Sequence, residues 1–132
     1  MIYLDTAALV KLIRREPESD VLVEWLAGQA DTMLVSSALA EVELPRALLR
    51  TEPELIVEVP GVLERIARYE IDDLVRSTAA SYRVPELRSL DAIHLATAHT
   101  VFGAQLTSFV TYDKRLRACA ESLGLAVRSP GA

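Results

Sequence analysis

Four acidic side chains in this sequence have the type and placement that metal-assisted chemistry requires. Asp5, Asp91 and Asp113 each stand at or near the start of a predicted helix, and Glu43 lies well inside another. Carboxylate oxygens are hard ligands that suit Mg²⁺ or Mn²⁺, and carboxylates crowded into one crevice repel one another unless cations neutralise them. Such a cation can activate a water and stabilise charge on a phosphoryl group. The pattern therefore favours phosphodiester hydrolysis without a nucleophilic side chain.

Each of these residues also has a simpler interpretation. Aspartate is a preferred N-cap, and a carboxylate in the first helical turn gains about 0.3 to 1 kcal/mol from the helix dipole. A glutamate inside a helix, such as Glu43, is usually solvated. The four residues predict a site only if they meet, and in open parallel sheets ligands bind beyond the carboxyl ends of the strands.

The elements that must position these residues follow from apolar periodicity. Four short apolar runs predict strands: Ile2–Leu4, Thr32–Val35, Phe109–Val110 and Ala126–Arg128. Between them lie stripes of helical period. The predicted helices are 8–16 (ended by Pro17), 21–27 (closed by Gly28), 38–50 (capped by Ser36 or Ser37 and kinked at Pro45), a segment after Pro53 broken at Pro60-Gly61, one capped by Asp72 or Asp73, one opened by Ser89, and one after Asp113.

Strands that alternate with helices predict an α/β fold. We expect a short parallel central sheet of four to five strands, flanked by helices on both faces. The length of 132 residues and the absence of linkers or repeats predict a single domain over residues 1–132.

Composition narrows the class of protein further. Cys119 is the single cysteine, which suits a reducing cytosol, and its place in an apolar stripe indicates packing. Asp5 interrupts the first apolar run, and no run reaches the roughly 18 residues of a membrane span, so we expect a cytoplasmic protein without membrane contact. The net charge of −5 argues against bulk electrostatic binding to nucleic acid, but only weakly against a metallonuclease.

Four segments resemble, in order, the four acidic motifs of PIN-domain ribonucleases of the VapC toxin type. They are IYLDTAALVKL, SSALAEVELPRAL, LRSLDAIHLATA and FVTYDKRL. The resemblance extends from residue 2 to about residue 123. It implies a PIN-like fold, an Mg²⁺- or Mn²⁺-dependent endoribonuclease, frequent homodimers, and neutralisation by a VapB-like antitoxin.

The resemblance also implies roles for individual residues. Asp5, Asp91 and Asp113 would be metal ligands and catalytic residues, with Thr6 and Thr111 as supporting polar neighbours. In the second motif, the E-x-x-R pattern followed by Ala-Leu matches Glu43 and Arg46 better than Glu41, which stays open because both glutamates fall within one helical turn. The family often has Ser at Ala7 and Leu at Pro45, and the second difference leaves the geometry around Glu43 open.

Several neighbouring residues have two interpretations. Arg46, Lys114 and Arg115 are candidates for contact with RNA phosphates, although such residues near helix ends are mostly solvated. His94 follows Asp91 by three residues and either binds the metal or plays a structural part, and the second interpretation is favoured. His99 is expected at the surface.

The sequence is also compatible with two other functions. A phospho-receiver domain has a similar length and an acidic pocket, but it needs an acidic pair after the first strand, and here Asp5 is followed by Thr6. A PIN fold that binds a partner without cleaving RNA is the other rival. The four filled acidic positions argue against it.

Overall fold

A computed structural model describes residues 1–132 as five parallel strands covered by helices on both faces. The strands are β1 (Ile2–Leu4), β2 (Leu34–Ser37), β3 (Ala67–Tyr69), β4 (Ser108–Val110) and β5 (Val127–Arg128). The helices are α1 (Thr6–Lys11), α2 (Ser19–Ala27), α3 (Ala40–Thr51), α4 (Val59–Leu63), α5 (Asp73–Ser81), α6 (Ser89–Thr97) and α7 (Lys114–Ser122). This confirms the predicted α/β fold. None of these helices combines the length and the apolar character needed to cross a membrane.

The order of the strands, β3-β2-β1-β4-β5, brings the first and fourth strands together at the centre of the sheet. The chain builds outward from β1 to β3 and then returns to the other side of β1 with β4, so the connection reverses direction between β1 and β4. The crevice at such a reversal, beyond the carboxyl ends of the strands, is where ligands bind in open α/β sheets. Asp5 follows β1 and Asp113 follows β4, so both lie at this crevice.

Side chains of β1 alternate between two apolar layers, as the two-residue period of a strand requires. Ile2 and Leu4 pack on one face with Leu9 and Leu44, which belong to α1 and α3. Tyr3 packs on the opposite face in a second buried cluster, which α6 and α7 cover. Packing on both faces therefore holds β1, the strand that leads directly to Asp5, in place.

The structure corrects several element boundaries. The strand β3 was not predicted, because its residues Ala67–Tyr69 are too few and too exposed to show a period. The second strand is Leu34–Ser37 rather than Thr32–Val35, so it contains both serines that were predicted to cap the next helix. That prediction is wrong, because the N-cap of α3 is Leu39, and the Ser37 hydroxyl accepts a hydrogen bond from the Leu39 backbone N–H at 3.0 Å in the turn before the helix. The predicted break at Pro60-Gly61 is wrong, because Pro60 occupies the first turn of α4, where its missing N–H costs nothing.

The helix that carries Glu43 begins at Ala40 instead of residue 38 and continues past Pro45 to Thr51. His99, expected at the surface, is half-buried, and its Nδ1 is enclosed without a hydrogen-bond partner. It lies in a π-helical turn, Ala98–Phe102, that extends α6.

The cap of α5 gives a stability prediction that is independent of the site. Asp72, rather than Asp73, is the N-cap, and its Oδ1 accepts a hydrogen bond from the Val75 backbone N–H at 2.9 Å. We expect Asp72→Ala to lower the free energy of unfolding by about 1 kcal/mol. Asp73→Ala is the matched control and should change it by less than about 0.5 kcal/mol, because Asp73 is exposed and pairs only with Arg76. Urea unfolding followed by circular dichroism measures both, and equal losses would contradict the assignment of the cap.

Candidate active site

One cleft at the carboxyl end of the sheet is lined by all four acidic residues that the sequence singled out. Its volume is about 720 Å³, and Asp5, Glu43, Asp91 and Asp113 contribute to its wall. These residues come from the start of α1, the middle of α3, the first turn of α6 and the start of α7. The fold thus gathers side chains that are up to 108 residues apart in the sequence.

Two of the aspartates are helix caps as well as cleft residues. Asp5 is the N-cap of α1, with its Oδ1 accepting the Ala8 N–H at 2.9 Å, and Asp113 is the N-cap of α7, with its Oδ1 accepting the Leu116 N–H at 2.8 Å. Each cap uses Oδ1, and these contacts fix the orientation of the carboxylate. The capping interpretation is therefore correct for both residues and is compatible with a second role of the other oxygen.

Burial makes the charge of Asp5 unfavourable. The residue is only 4% exposed, and burial raises the pKa of Asp5 above its usual range. The shift is opposed by the nearby His94, by the Thr111 hydroxyl and by the Ala8 N–H, while the charge of Glu43 reinforces it. Asp5 is thus held in an environment that lacks enough positive charge to balance it.

The charges of the other carboxylates affect the pKa of Asp91. It does not cap α6, whose N-cap is Arg88, and it lies half-buried in the first turn. Burial raises the pKa of Asp91, and the negative charges of Asp113 and Asp5 raise it further. Mutual repulsion of this kind is the electrostatic signature of carboxylates that share one pocket.

Glu43 is held by two hydrogen bonds to the same oxygen. The Thr6 hydroxyl donates to Oε1 at 2.7 Å, and Nε2 of His94 lies 2.8 Å from that oxygen. Burial works to raise the pKa of Glu43, but the contacts with His94 and Thr6 outweigh it, and the pKa is lowered overall. Glu43 is therefore ionised at neutral pH, and its Oε2 has no protein hydrogen-bond partner.

Glu41, the alternative to Glu43, faces a different part of the surface. It is exposed, it does not line the cleft, and it lies 3.6 Å from the guanidinium of Arg68. The two-residue separation rotates its side chain away from Glu43 around the helix.

The donor set of the cleft fits a hard divalent cation. All four side chains offer carboxylate oxygens, and none of the four pairs with a lysine or arginine, since the one ion pair among them joins Glu43 to His94. Burial first, and the neighbouring carboxylates second, raise the pKa values of Asp5 and Asp91, so their charged forms lack full compensation within the protein. No three acidic, histidine or cysteine side chains converge closely enough to hold an ion by direct contact alone. Water would have to complete the coordination, as is usual for Mg²⁺.

Basic side chains line the same cavities as the acidic residues. Arg46 lines the cleft together with three further arginines, Arg14, Arg50 and Arg88, of which the sequence left Arg14 open and did not indicate the other two. Lys114 and Arg115 line a smaller cavity of about 280 Å³ that also contains Asp91 and Asp113. Arg46, Lys114 and Arg115 therefore each share a cavity with carboxylates of the site. Arg14 is bound to Glu16 by two hydrogen bonds, which reduces its availability to a ligand.

Two buried residues at the site were underestimated or missed. His94 is only 2% exposed and contacts Glu43, so it serves the site as a hydrogen-bonding residue behind the carboxylate. Tyr3 does not line the cleft, but its hydroxyl lies 2.7 Å from Nδ1 of His94. It was missed, because a tyrosine in a buried strand usually indicates packing. The signal that could have found it is the strand period, which puts Tyr3 on the face of the sheet that α6 covers.

The family model for the PIN domain matches residues 2–122 of the chain. The chain belongs to the PIN-domain family. Two relatives of this PIN-domain chain come from Mycobacterium tuberculosis. Ribonuclease VapC35 is 58% identical over 132 residues, covering 99% of this chain and 98% of the relative. Ribonuclease VapC46 is 43% identical over 129 residues, covering 98% of this chain and 97% of the relative.

Solved structures confirm the PIN fold. VapC20 of Mycobacterium tuberculosis, a toxin that cleaves the sarcin-ricin loop, superposes with a TM-score of 0.74 at 12% identity, covering 90% of this chain and 95% of that one. VapBC2 of Rickettsia felis, bound to a DNA fragment from its promoter, gives a TM-score of 0.70 at 15% identity, covering 98% of this chain and 99% of that one. At these identities the likeness concerns the fold alone.

Proposed function

We propose that residues 1–132 form a single PIN domain that acts as the endoribonuclease toxin of a toxin–antitoxin pair. It would hydrolyse RNA phosphodiester bonds with Mg²⁺ or Mn²⁺ held by Asp5, Glu43, Asp91 and Asp113. The observation that carries this proposal is the meeting of four carboxylates in one cleft without a lysine or arginine partner. The names of the VapC ribonucleases to which the chain is 58% and 43% identical support RNA as the substrate.

The bound cation would supply Lewis acidity, lowering the pKa of a water and neutralising charge on the phosphoryl group. The residues of the chain would orient the ligands. The Ala8 N–H and the Leu116 N–H hold one oxygen of Asp5 and of Asp113, and the Thr6 hydroxyl holds one oxygen of Glu43. Such contacts hold the carboxylate in one orientation before the ion binds, so the carboxylate loses less rotational entropy on binding.

The basic residues beside the acidic centre are proposed to contact the RNA backbone. Arg46 on α3 lines the main cleft, and Lys114 and Arg115 on α7 line the smaller cavity that shares Asp91 and Asp113 with it. A nucleic acid strand that spans both cavities would therefore meet positive charge in each. Phosphate contacts of this kind position the substrate without selecting its sequence.

A VapB-like antitoxin is the proposed protein partner, and a homodimer is the proposed assembly. Support for the antitoxin comes from the names of the VapC relatives and from the VapBC2 structure, one chain of which has the fold of this chain. The proposed location is the cytoplasm, which agrees with the lone, partly buried Cys119.

Thermal unfolding in the presence of Mn²⁺ tests the metal site. An ion that binds the folded state at 100 times its Kd adds about 2.7 kcal/mol of stability. For a domain of this size that corresponds to a rise in Tm of roughly 10 °C. We expect this rise for the wild type and its loss in Asp5→Asn, which can still cap α1 because asparagine is as good an N-cap as aspartate.

RNA cleavage completes the experiment. The wild type should cleave an unstructured RNA when Mn²⁺ or Mg²⁺ is added, stop when EDTA is added, and resume after the metal is restored. A wild type that binds Mn²⁺ yet leaves RNA intact would contradict the ribonuclease and favour the non-cleaving PIN rival. An equal Tm rise in Asp5→Asn would contradict the site.

A further inference from the structure

A buried series of side-chain hydrogen bonds leads from the sheet to Glu43. The hydroxyl of Tyr3 lies 2.7 Å from Nδ1 of His94, and Nε2 of the same ring lies 2.8 Å from Oε1 of Glu43. Tyr3 is fully buried and His94 is 2% exposed. These hydrogen bonds thus connect the central strand β1, by way of α6, to a carboxylate on α3.

The direction of these hydrogen bonds follows from the available protons. An ionised Glu43 only accepts, so the contact with His94 requires a proton on Nε2. A neutral imidazole carries a single proton, so with that proton on Nε2 its Nδ1 can only accept a hydrogen bond. In the neutral ring the Tyr3 hydroxyl therefore donates to Nδ1, and the imidazole is the Nε2–H tautomer.

We propose that Tyr3 is a positioning residue that acts through His94 to orient Glu43 toward the cation. This inference rests on the proposed function, in which Glu43 is a metal ligand. By accepting at Nδ1, the ring is compelled to present its N–H to Oε1, and Thr6 donates to the same oxygen at 2.7 Å. Both contacts therefore hold Oε1, and Oε2 is left to bind. Groups that orient metal ligands in this way usually contribute about 10- to 100-fold to metal affinity.

The hydroxyl of Tyr3 is separable from its role in packing. The ring stacks on Phe109 with centroids 5.3 Å apart and meets Phe102 at 6.2 Å, and a phenylalanine would keep both contacts. Tyr3→Phe consequently removes one hydroxyl from the site while the core keeps its shape. The ring of His94 would lose the group that determines which of its nitrogens carries the proton.

Binding of Mn²⁺ to the metal-free protein tests the proposal by calorimetry. We expect Tyr3→Phe to weaken Mn²⁺ binding by about 10-fold. The matched control is Tyr112→Phe, which also removes a tyrosine hydroxyl hydrogen bond, the one from Tyr112 to the Pro130 carbonyl at 2.8 Å. This control should bind Mn²⁺ with wild-type affinity. A purely structural role of Tyr3 would lower the Tm of the metal-free protein and leave the affinity of the folded fraction unchanged, which would overturn the proposal.

Nitrogen-15 NMR of the metal-free wild type in mildly alkaline buffer provides a readout that needs no variant. The His94 ring should carry its proton on Nε2 and leave Nδ1 bare, and in Tyr3→Phe this preference should weaken. A proton on Nδ1 in the wild type would overturn the proposal. Failure of the proposed function is distinct, since the wild type would then not bind Mn²⁺ at all. If the wild type binds Mn²⁺ and Tyr3→Phe binds it equally well, only this inference fails.

Discussion

Asp91→Asn is expected to lower the rate of RNA cleavage by about 100- to 1000-fold while it raises the Tm of the metal-free protein. The loss of activity follows from removing a charged ligand where transition-state charge must be stabilised electrostatically. The gain in stability follows from removing a carboxylate that is half-buried and repelled by Asp113 and Asp5. Single-turnover cleavage assays and thermal unfolding in EDTA measure the two effects.

The sign of the stability effect depends on pH. Because the pKa of Asp91 is raised in the folded state, the folded protein binds this proton more tightly than the unfolded chain does. Below the unfolded-state pKa, Asp91 is protonated in both states and carries no penalty. As the pH rises through the folded-state pKa, the charged carboxylate destabilises the fold. The Asp91→Asn substitution should therefore stabilise the metal-free protein at neutral pH, and the difference should fade in acid.

Glu86→Gln is the matched control for Asp91→Asn. Glu86 lines the smaller cavity beside Asp91, but it is exposed and is not one of the four residues of the cleft. We expect its rate of cleavage and its Tm to remain close to the wild-type values. An Asp91→Asn protein that cleaves RNA at the wild-type rate, or a Glu86→Gln protein that is inactive, would contradict the site.

Comparison of Glu43→Gln with Glu41→Gln shows which of the two glutamates of α3 is needed for cleavage. Glu43→Gln should reduce cleavage by at least about 100-fold, because glutamine lacks the charge needed to bind the cation. Its side-chain oxygen can still accept from Thr6, so the fold should persist. Glu41→Gln should change the rate by less than about fivefold, because it breaks only an exposed ion pair with Arg68.

Cleavage rates and Mn²⁺ affinities should be measured for both variants under the same conditions. Loss of activity in Glu41→Gln with full activity in Glu43→Gln would reverse the assignment. Equal losses in both variants would indicate that α3 as a whole has been disturbed, and thermal unfolding would reveal this as a matching fall in Tm. The assignment of Glu43 requires that the fall in rate occur without a comparable fall in stability.

The sequence by itself determined the types and the order of the elements that carry the acidic residues. Asp5 and Asp113 could be read as residues that follow a strand and begin a helix, because the two-residue period of a strand and the 3.6-residue period of a helix are local properties. The parallel sheet followed from the alternation of these periods. The strand β3 escaped detection because three partly exposed residues, Ala67–Tyr69, carry no such period.

Tertiary structure alone decided which side chains meet. That Glu43 rather than Glu41 lines the cleft depends on how α3 is rotated against the sheet, and its packing through Leu44 and Leu48 sets this rotation. The contact between Tyr3 and His94 depends on where along β1 the helix α6 crosses the sheet. Contacts between residues 91 positions apart leave no trace in local periodicity, because they are specified by the packing of the whole core.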